Sequence, residues 1–188
     1  MFKKLAKYIK EYKKQTILTP IFVVLEVVME VIIPILMAKI IDVGIQNGDV
    51  KYILEIGGLL IIAAILSLTF GMLSGRFAAK ASAGYAKNLR KAMFHKIQDY
   101  SFENIDKFST SSLVTRMTTD VTNVQMAFQM IIRILVRGPI MMIFALLMVL
   151  SISGKLSLIF LVAIPFLGII LFLIATKAHP IFEKVFKK

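Results

Sequence analysis

The 188-residue chain contains no cysteine, which excludes disulfides and thiolate metal sites and leaves its redox compartment undetermined. None of its ten glycines stands in a GxxxxGK[ST] string, so no phosphate-binding loop of that kind can cradle a nucleotide here. The two histidines, His95 and His179, are isolated and lack clustered ligands, which argues against a metal or catalytic role. Acidic residues are scarce, 11 against 23 Lys and Arg, and the formal charge is +12. Such an excess invites a nucleic-acid reading, but the aromatic stacking platforms and motifs that would accompany it are missing. Neither an internal repeat nor a low-complexity segment stands out.

What the chain has in abundance is apolar surface. Hydrophobic residues make up 58% of it and the mean hydropathy is +0.82, values of an integral membrane protein. Four spans are read from hydropathy: Ile17 to Ile41, Ile53 to about Gly75, about Met126 to Ser151, and Leu156 to about Thr176. The first is too long for a signal-peptide core and has no convincing cleavage site. Gly44, Asn47, Gly48 and Asp49 mark a short turn between the first two spans, and residues 151–155 a shorter one between the last two. These two connections carry only Lys39, Lys51 and Lys155. The N-terminal arm alone carries Lys3, Lys4, Lys7, Lys10, Lys13 and Lys14, which places both termini on the cytoplasmic side. In that arm Phe2, Leu5, Ile9 and Tyr12 recur at spacings of three and four, the pattern of an interfacial helix on anionic headgroups over residues 1–15.

The segment from Arg76 to Met130 joins two spans without resembling a loop. It stays helix-forming, basic and amphipathic, except for a polar turn over residues 102–112. A helix from Tyr52 to Tyr100 would be roughly 70 Å long, against a hydrocarbon core of about 30 Å. The remainder must project into water, turn and return. A stripe of Ala79, Ala83, Ala86, Met93 and Ile97 is expected to pack on the returning helix. At the tip, Phe102, Ile105 and Phe108 set three large apolar groups on a short polar segment, which marks either a partner site or a cap on the hairpin's own core.

Charges inside the spans are the candidate sites. Glu26 and Glu30 share a face of the first span, and Arg133 and Arg137 a face of the third. Counted along the helices, Glu26 and Arg137 lie within about 5 Å of each other in depth. Each uncompensated charge would cost about 3 kcal/mol near the membrane centre, so these groups should meet one another or a watery cavity. An interhelical ion pair and a substrate-lining role are both open on this reading. Pro34, Pro139 and Pro165 fall inside spans and mark kinks. The trio Leu73-Ser74-Gly75 is read as a chance fragment of a signature-like string within a span and carries no weight.

The run FENIDKFSTSSLVTRMTTDVTNVQ (Phe102 to Gln125) resembles the first intracellular loop of bacterial ATP-binding-cassette exporters. LEVVMEVIIPILMAKIIDVGIQNG (Leu25 to Gly48) is similar to their first span and outer loop, and QMIIRILVRGPIMM (Gln129 to Met142) to their third span. The resemblance covers essentially the whole chain in the family's order. It implies an all-α membrane protein in which four long helices have cytoplasmic extensions, preceded by an interfacial elbow helix. Its boundaries would be an elbow over 1–15, a first span over 17–41, spans with their cytoplasmic extensions over 53–100, 113–151 and 156–188, and a coupling turn over 102–112. It further implies that Asn104 to Ser109 is a coupling helix, with Phe102, Asn104, Ile105, Asp106, Lys107, Phe108 and Ser109 meeting a nucleotide-binding domain.

By the same resemblance, ATP and magnesium belong to that domain and none is held on this chain. The partners would be a second half-transporter, identical or different, the lipid bilayer and an exported substrate, in the bacterial inner membrane. No nucleic acid is expected. The chain ends at Lys188 within a basic helical stretch without a glycine cap, so it is expected to be a fragment that cannot hydrolyse ATP alone. The competing expectation is a complete four-span protein acting as an assembly or regulatory partner.

Overall fold

Long apolar runs with few internal glycines and prolines leave the backbone little alternative to helix in lipid, where every N–H and C=O must be satisfied within its own segment. The computed structural model describes residues 7–100, 110–152, 163, 165–170, 174 and 176, and every regular element among them is helical. Among the described residues three helical runs are long and apolar enough to cross a membrane: Lys7–Ile45, Val50–Gln98 and Ser111–Ser151. The chain divides into two units, Met1–Met141 and Met142–Lys188. Of the second, the structure describes the end of the third run and a helical stretch over 165–170. The remainder of the expected fourth span, and the coupling segment 102–109, lie outside the described residues.

The first run comprises α1 (Lys13–Lys39), followed without a break by a π-helical turn, Ile40–Ile45. It therefore continues past the expected end at Ile41. Gly48 then takes a positive φ of 66°, a conformation that side chains resist, and Asp49 caps the next helix by accepting from the Tyr52 N–H at 3.0 Å. That helix, α2 (Val50–Gln98), is 49 residues long, about 74 Å at the usual rise. α1 returns antiparallel to it. Phe22 stacks on Phe77 with centroids 5.5 Å apart and tilts against Phe70 at 6.2 Å, while Val23 and Val27 are fully buried.

The third run begins with α3 (Thr110–Thr115) and continues through a π-helical turn, Arg116–Asp120, into α4 (Val121–Met130). A second π-helical turn, Ile131–Leu135, leads into α5 (Val136–Ile152). It packs against α2 through Ala78, Ala81 and Ile132, with Phe128 beside them and the Tyr85 and Phe128 rings stacked at 4.5 Å.

The buried face of α2 matches the expected stripe only in part, at Ala86, with Met93 and Ile97 half-buried. Ala79 and Ala83 are exposed, and the face is built from Ser74, Ala78, Ala81, Ser82, Gly84, Tyr85, Ala86 and Asn88. The physical reason is that α2 is covered from two sides, by the first run and by the third. Small size and hydrogen-bonding capacity decide what faces such a crowded seam, and hydrophobicity does not. Ser82 Oγ lies 3.3 Å from Gln129 Oε1, and Asn88 Nδ2 donates to the Tyr8 carbonyl at 3.0 Å.

The N-terminal arm also differs from a single amphipathic helix. Lys7–Tyr12 is 3₁₀-helical and broken at Lys10, where φ is 40° and ψ −116°. Beyond the break, Tyr12 lies directly over Gly84 of α2, in the space that a side chain there would occupy. Phe2 and Leu5 lie outside the described residues.

A candidate functional site between the first three helices

All four charged candidates sit in the first unit, and three of them meet. Arg137 spreads its guanidinium across two carboxylates one turn apart on α1. Its Nη1 lies 2.9 Å from Glu26 Oε1 and its Nη2 2.5 Å from Glu30 Oε1. The helical spacing of four sets the two acids at the separation that a planar fork can span, an arrangement that a lysine could not reproduce. Glu26 is the deepest of the three, its side chain 10% exposed against 29% for Glu30 and 38% for Arg137. A charge so enclosed persists only where its oxygens are engaged.

The second Glu26 oxygen is met by Ser74 Oγ at 3.5 Å, a long contact from a hydroxyl that also donates to the Gly71 carbonyl at 3.0 Å. Gly71 itself is required by proximity. A Cβ there would stand 3.0 Å from Glu26 Oε1 and 3.2 Å from its Cδ. The position one turn further along α2, Gly75, lies against Arg133, whose Nη1 would be in ordinary contact with a Cβ there at 3.6 Å. Ser74 and Gly75, passed over in the sequence as a chance fragment, are therefore parts of the site. The signal was their small size at a depth where large charged groups must fit.

Arg133 lines the same space but has no hydrogen-bond or ion-pair partner among the described residues. Together with Glu26, Glu30, Ile33, Leu68 and Met72 it borders a groove of about 730 Å³. Its other side, with Arg137, Gln129 and Met126, borders a second groove of about 390 Å³. Three charges thus form a closed cluster with an excess of one negative charge. The fourth, positive charge stands beside it in apolar surroundings. Such an arrangement can hold helices in register and can also present a polar wall to a molecule between them.

The described residues include no cluster of three or more potential metal ligands, and no GxxxxGK[ST] string occurs in the sequence. Phe102, Asn104, Ile105, Asp106, Lys107, Phe108 and Ser109 lie outside the described residues.

Residues 16–188 match the family described as ABC transporter transmembrane region. The ABC transporter ATP-binding protein YfiB of Bacillus subtilis is 34% identical over 181 residues, covering 96% of this chain and 32% of that protein. An ABC transporter ATP-binding protein of Mycobacterium tuberculosis is 25% identical over 181 residues, 96% of this chain and 31% of its own. The ATP-dependent lipid A-core flippase of Pseudoalteromonas translucida is 27% identical over 188 residues, 98% and 32% respectively. The chain thus spans about a third of the length of these relatives. With three helices among its described residues long and apolar enough to cross a membrane, it belongs to the ABC transporter transmembrane-region family and represents the membrane-spanning rather than the ATP-hydrolysing part of that architecture.

Proposed function

We propose that this chain is the transmembrane part of an ATP-driven exporter and lines its substrate pathway through the groove of Glu26, Glu30 and Arg133. The observation that carries the reading is the groove itself. It is about 730 Å³ in volume, lies within apolar helices, and is lined by two carboxylates and by Arg133, a guanidinium without a direct hydrogen-bond or ion-pair partner among the described residues. A protein without transport work has little use for such a charge at that depth. In this reading both termini face the cytoplasm of a bacterial inner membrane, the N-terminal arm lies at its interface, and the fourth span completes the half-transporter. Nucleotide and magnesium are held by a nucleotide-binding domain. Asn104 to Ser109 docks on it, with Phe102, Ile105 and Phe108 as apolar anchors and Asp106 and Lys107 orienting the contact. A second half-transporter completes the pathway.

Two variants of the complete transporter in lipid vesicles test this. Met72→Trp, which fills the groove, should lower export and abolish stimulation of ATP hydrolysis by substrate while leaving basal hydrolysis intact. Ile105→Ser combined with Phe108→Ser should likewise separate hydrolysis from export. Normal export by both, at normal membrane abundance, would refute the assignment.

A further inference from the structure

Side chains that hold the third helical run on its neighbours are each preceded, four residues earlier, by one of similar type. Arg137 engages Glu26 and Glu30, and Arg133 stands four residues before it. Gln129 faces Ser82, and Gln125 stands four before that. Thr122 Oγ1 meets Arg90 Nη2 at 3.2 Å, and Thr118 precedes it by four. The apolar contacts follow the same step. Ile132 packs on Ala78 and Ala81, and Phe128, four residues earlier, already borders that contact. The three polar earlier members are available, while Phe128 is held by its stack on Tyr85. Arg133 and Gln125 have no side-chain partner among the described residues, and Thr118 bonds only to carbonyls of its own helix.

We propose that the third run has two registers against α1 and α2, one helical turn or about 5.4 Å apart. The structure holds the first. Advancing the run by one turn along its own direction delivers Arg133 to the carboxylate pair, Gln125 to Ser82, Thr118 to Arg90 and Phe128 to the alanine seat of Ile132. Every polar group on α1 and α2 then keeps a partner of the same chemical type. Along α2, Ala78, Ala81 and Ser82 present only small side chains to the third run, and Tyr85, stacked on Phe128, is the large ring that has to exchange its neighbour in the shift. Ile131–Leu135, a π-helical turn, lies between the Gln129 and Arg137 contacts and lets the two ends of the run settle separately. Packed interfaces switch between discrete seats of this kind because intermediate positions leave ridges on ridges. The shifted register gives up the Tyr85–Phe128 stack for Val124, which is why the present one is favoured. Arg133 and Arg137 are then alternate occupants of one acidic seat, whatever molecule the groove carries.

The absence of cysteine allows a direct test on the full chain in lipid vesicles. Ser82→Cys is paired with Gln129→Cys to report the present register and with Gln125→Cys to report the shifted one, using a short bifunctional methanethiosulfonate. The 82–129 link should dominate and the 82–125 link should be minor. Adding Arg137→Leu should raise the 82–125 yield relative to 82–129 about tenfold, equivalent to about 1.4 kcal/mol of register preference. Adding Arg133→Leu should remove the 82–125 link and leave 82–129 unchanged. Arg137→Gln, closer in shape and polarity, should act in the direction of Arg137→Leu and serves if that variant fails to accumulate. An unchanged ratio on loss of Arg137, or loss of both links, would overturn the proposal. Neither readout depends on transport, so the result stands apart from the proposed function.

Discussion

Tyr12 occupies the space beside Gly84 that any other residue at position 84 would need. The contact fastens the N-terminal arm to α2 beyond the apolar run of that helix, and Asn88 reinforces it one turn further on through the Tyr8 carbonyl. Glycine in a helix interior costs about 1 kcal/mol relative to alanine, so its presence here reflects packing. Gly57 and Gly58, by contrast, have nothing within 4 Å of a Cβ.

Gly84→Ala should therefore expel the Tyr12 ring, with an overpacking cost of about 1–3 kcal/mol that exceeds the gain in helix propensity. Gly57→Ala should be neutral or stabilising. Thermal unfolding in lipid nanodiscs, together with protease cleavage near Lys10, measures both effects. Equal behaviour of the two variants would show that the arm is not seated on Gly84.

Arg137 divided between two carboxylates makes an asymmetric prediction. Glu26→Gln should cost more stability than Glu30→Gln, because Glu26 is more enclosed and its oxygens are engaged by both Arg137 and Ser74. In a double-mutant cycle with Arg137→Gln, Glu26 should show a coupling of roughly 0.5–3 kcal/mol and Glu30 a smaller one. Additive losses would mean that the pair contributes no mutual stabilisation.

Three of the four expected spans correspond to described helices long and apolar enough to cross a membrane, legible because apolar length leaves few alternatives, and the turn at Gly48 and Asp49 was legible because a positive φ and a helix cap require such residues. Depth counting placed Glu26 and Arg137 near one another, and the structure joins them, since charges held in apolar helices must find partners. The role of Gly71, Ser74 and Gly75 was not legible. It depends on which face of α2 meets α1, and α2 is apolar on most of its circumference. For the same reason Ala79 and Ala83 looked like a packing stripe, while the true seam runs through Ser82, Tyr85 and Asn88. Their importance lies in a shape and in hydrogen bonds that hydropathy does not record. The break at Lys10 left no mark in a pattern of lysines and apolar residues that fits a continuous helix.

Tyr85 supplies a pH dependence. It is 3% exposed, and burial, with a smaller contribution from the Tyr8 phenolate, pushes its phenol above the ordinary value of 10.0. Because the folded value is raised, the stabilisation is fully present below the unfolded value of about 10 and is lost as the pH rises through the folded one. Parent and Tyr85→Phe should consequently differ in the slope of stability against pH only in the alkaline range, with the parent falling faster. Parallel curves, or a tyrosinate absorbance that titrates entirely at the ordinary value, would show that Tyr85 is open to water.

Arg90 closes the part of the stalk that the structure describes. Its Nε lies 3.4 Å from the Met117 carbonyl, inside the π-helical turn Arg116–Asp120, and its Nη2 reaches Thr122. One guanidinium thus spans more than a turn of the returning run and ties it to α2 where apolar packing has thinned. Each bond contributes about 0.5–1.5 kcal/mol, less the share lost to solvent at this partly exposed position. Arg90→Ala should therefore leave the membrane-crossing helices intact and loosen residues 113–125, seen as faster amide exchange confined to that stretch. Arg90→Lys should restore only part of the protection, because a single ammonium cannot bond in two directions with the geometry of a planar fork. If both variants exchange as the parent does, the returning run is held without Arg90, beginning at the apolar contact of Tyr85, Phe128 and Ile132. A push at the stalk's far end would then reach the membrane helices through that apolar contact without help from Arg90.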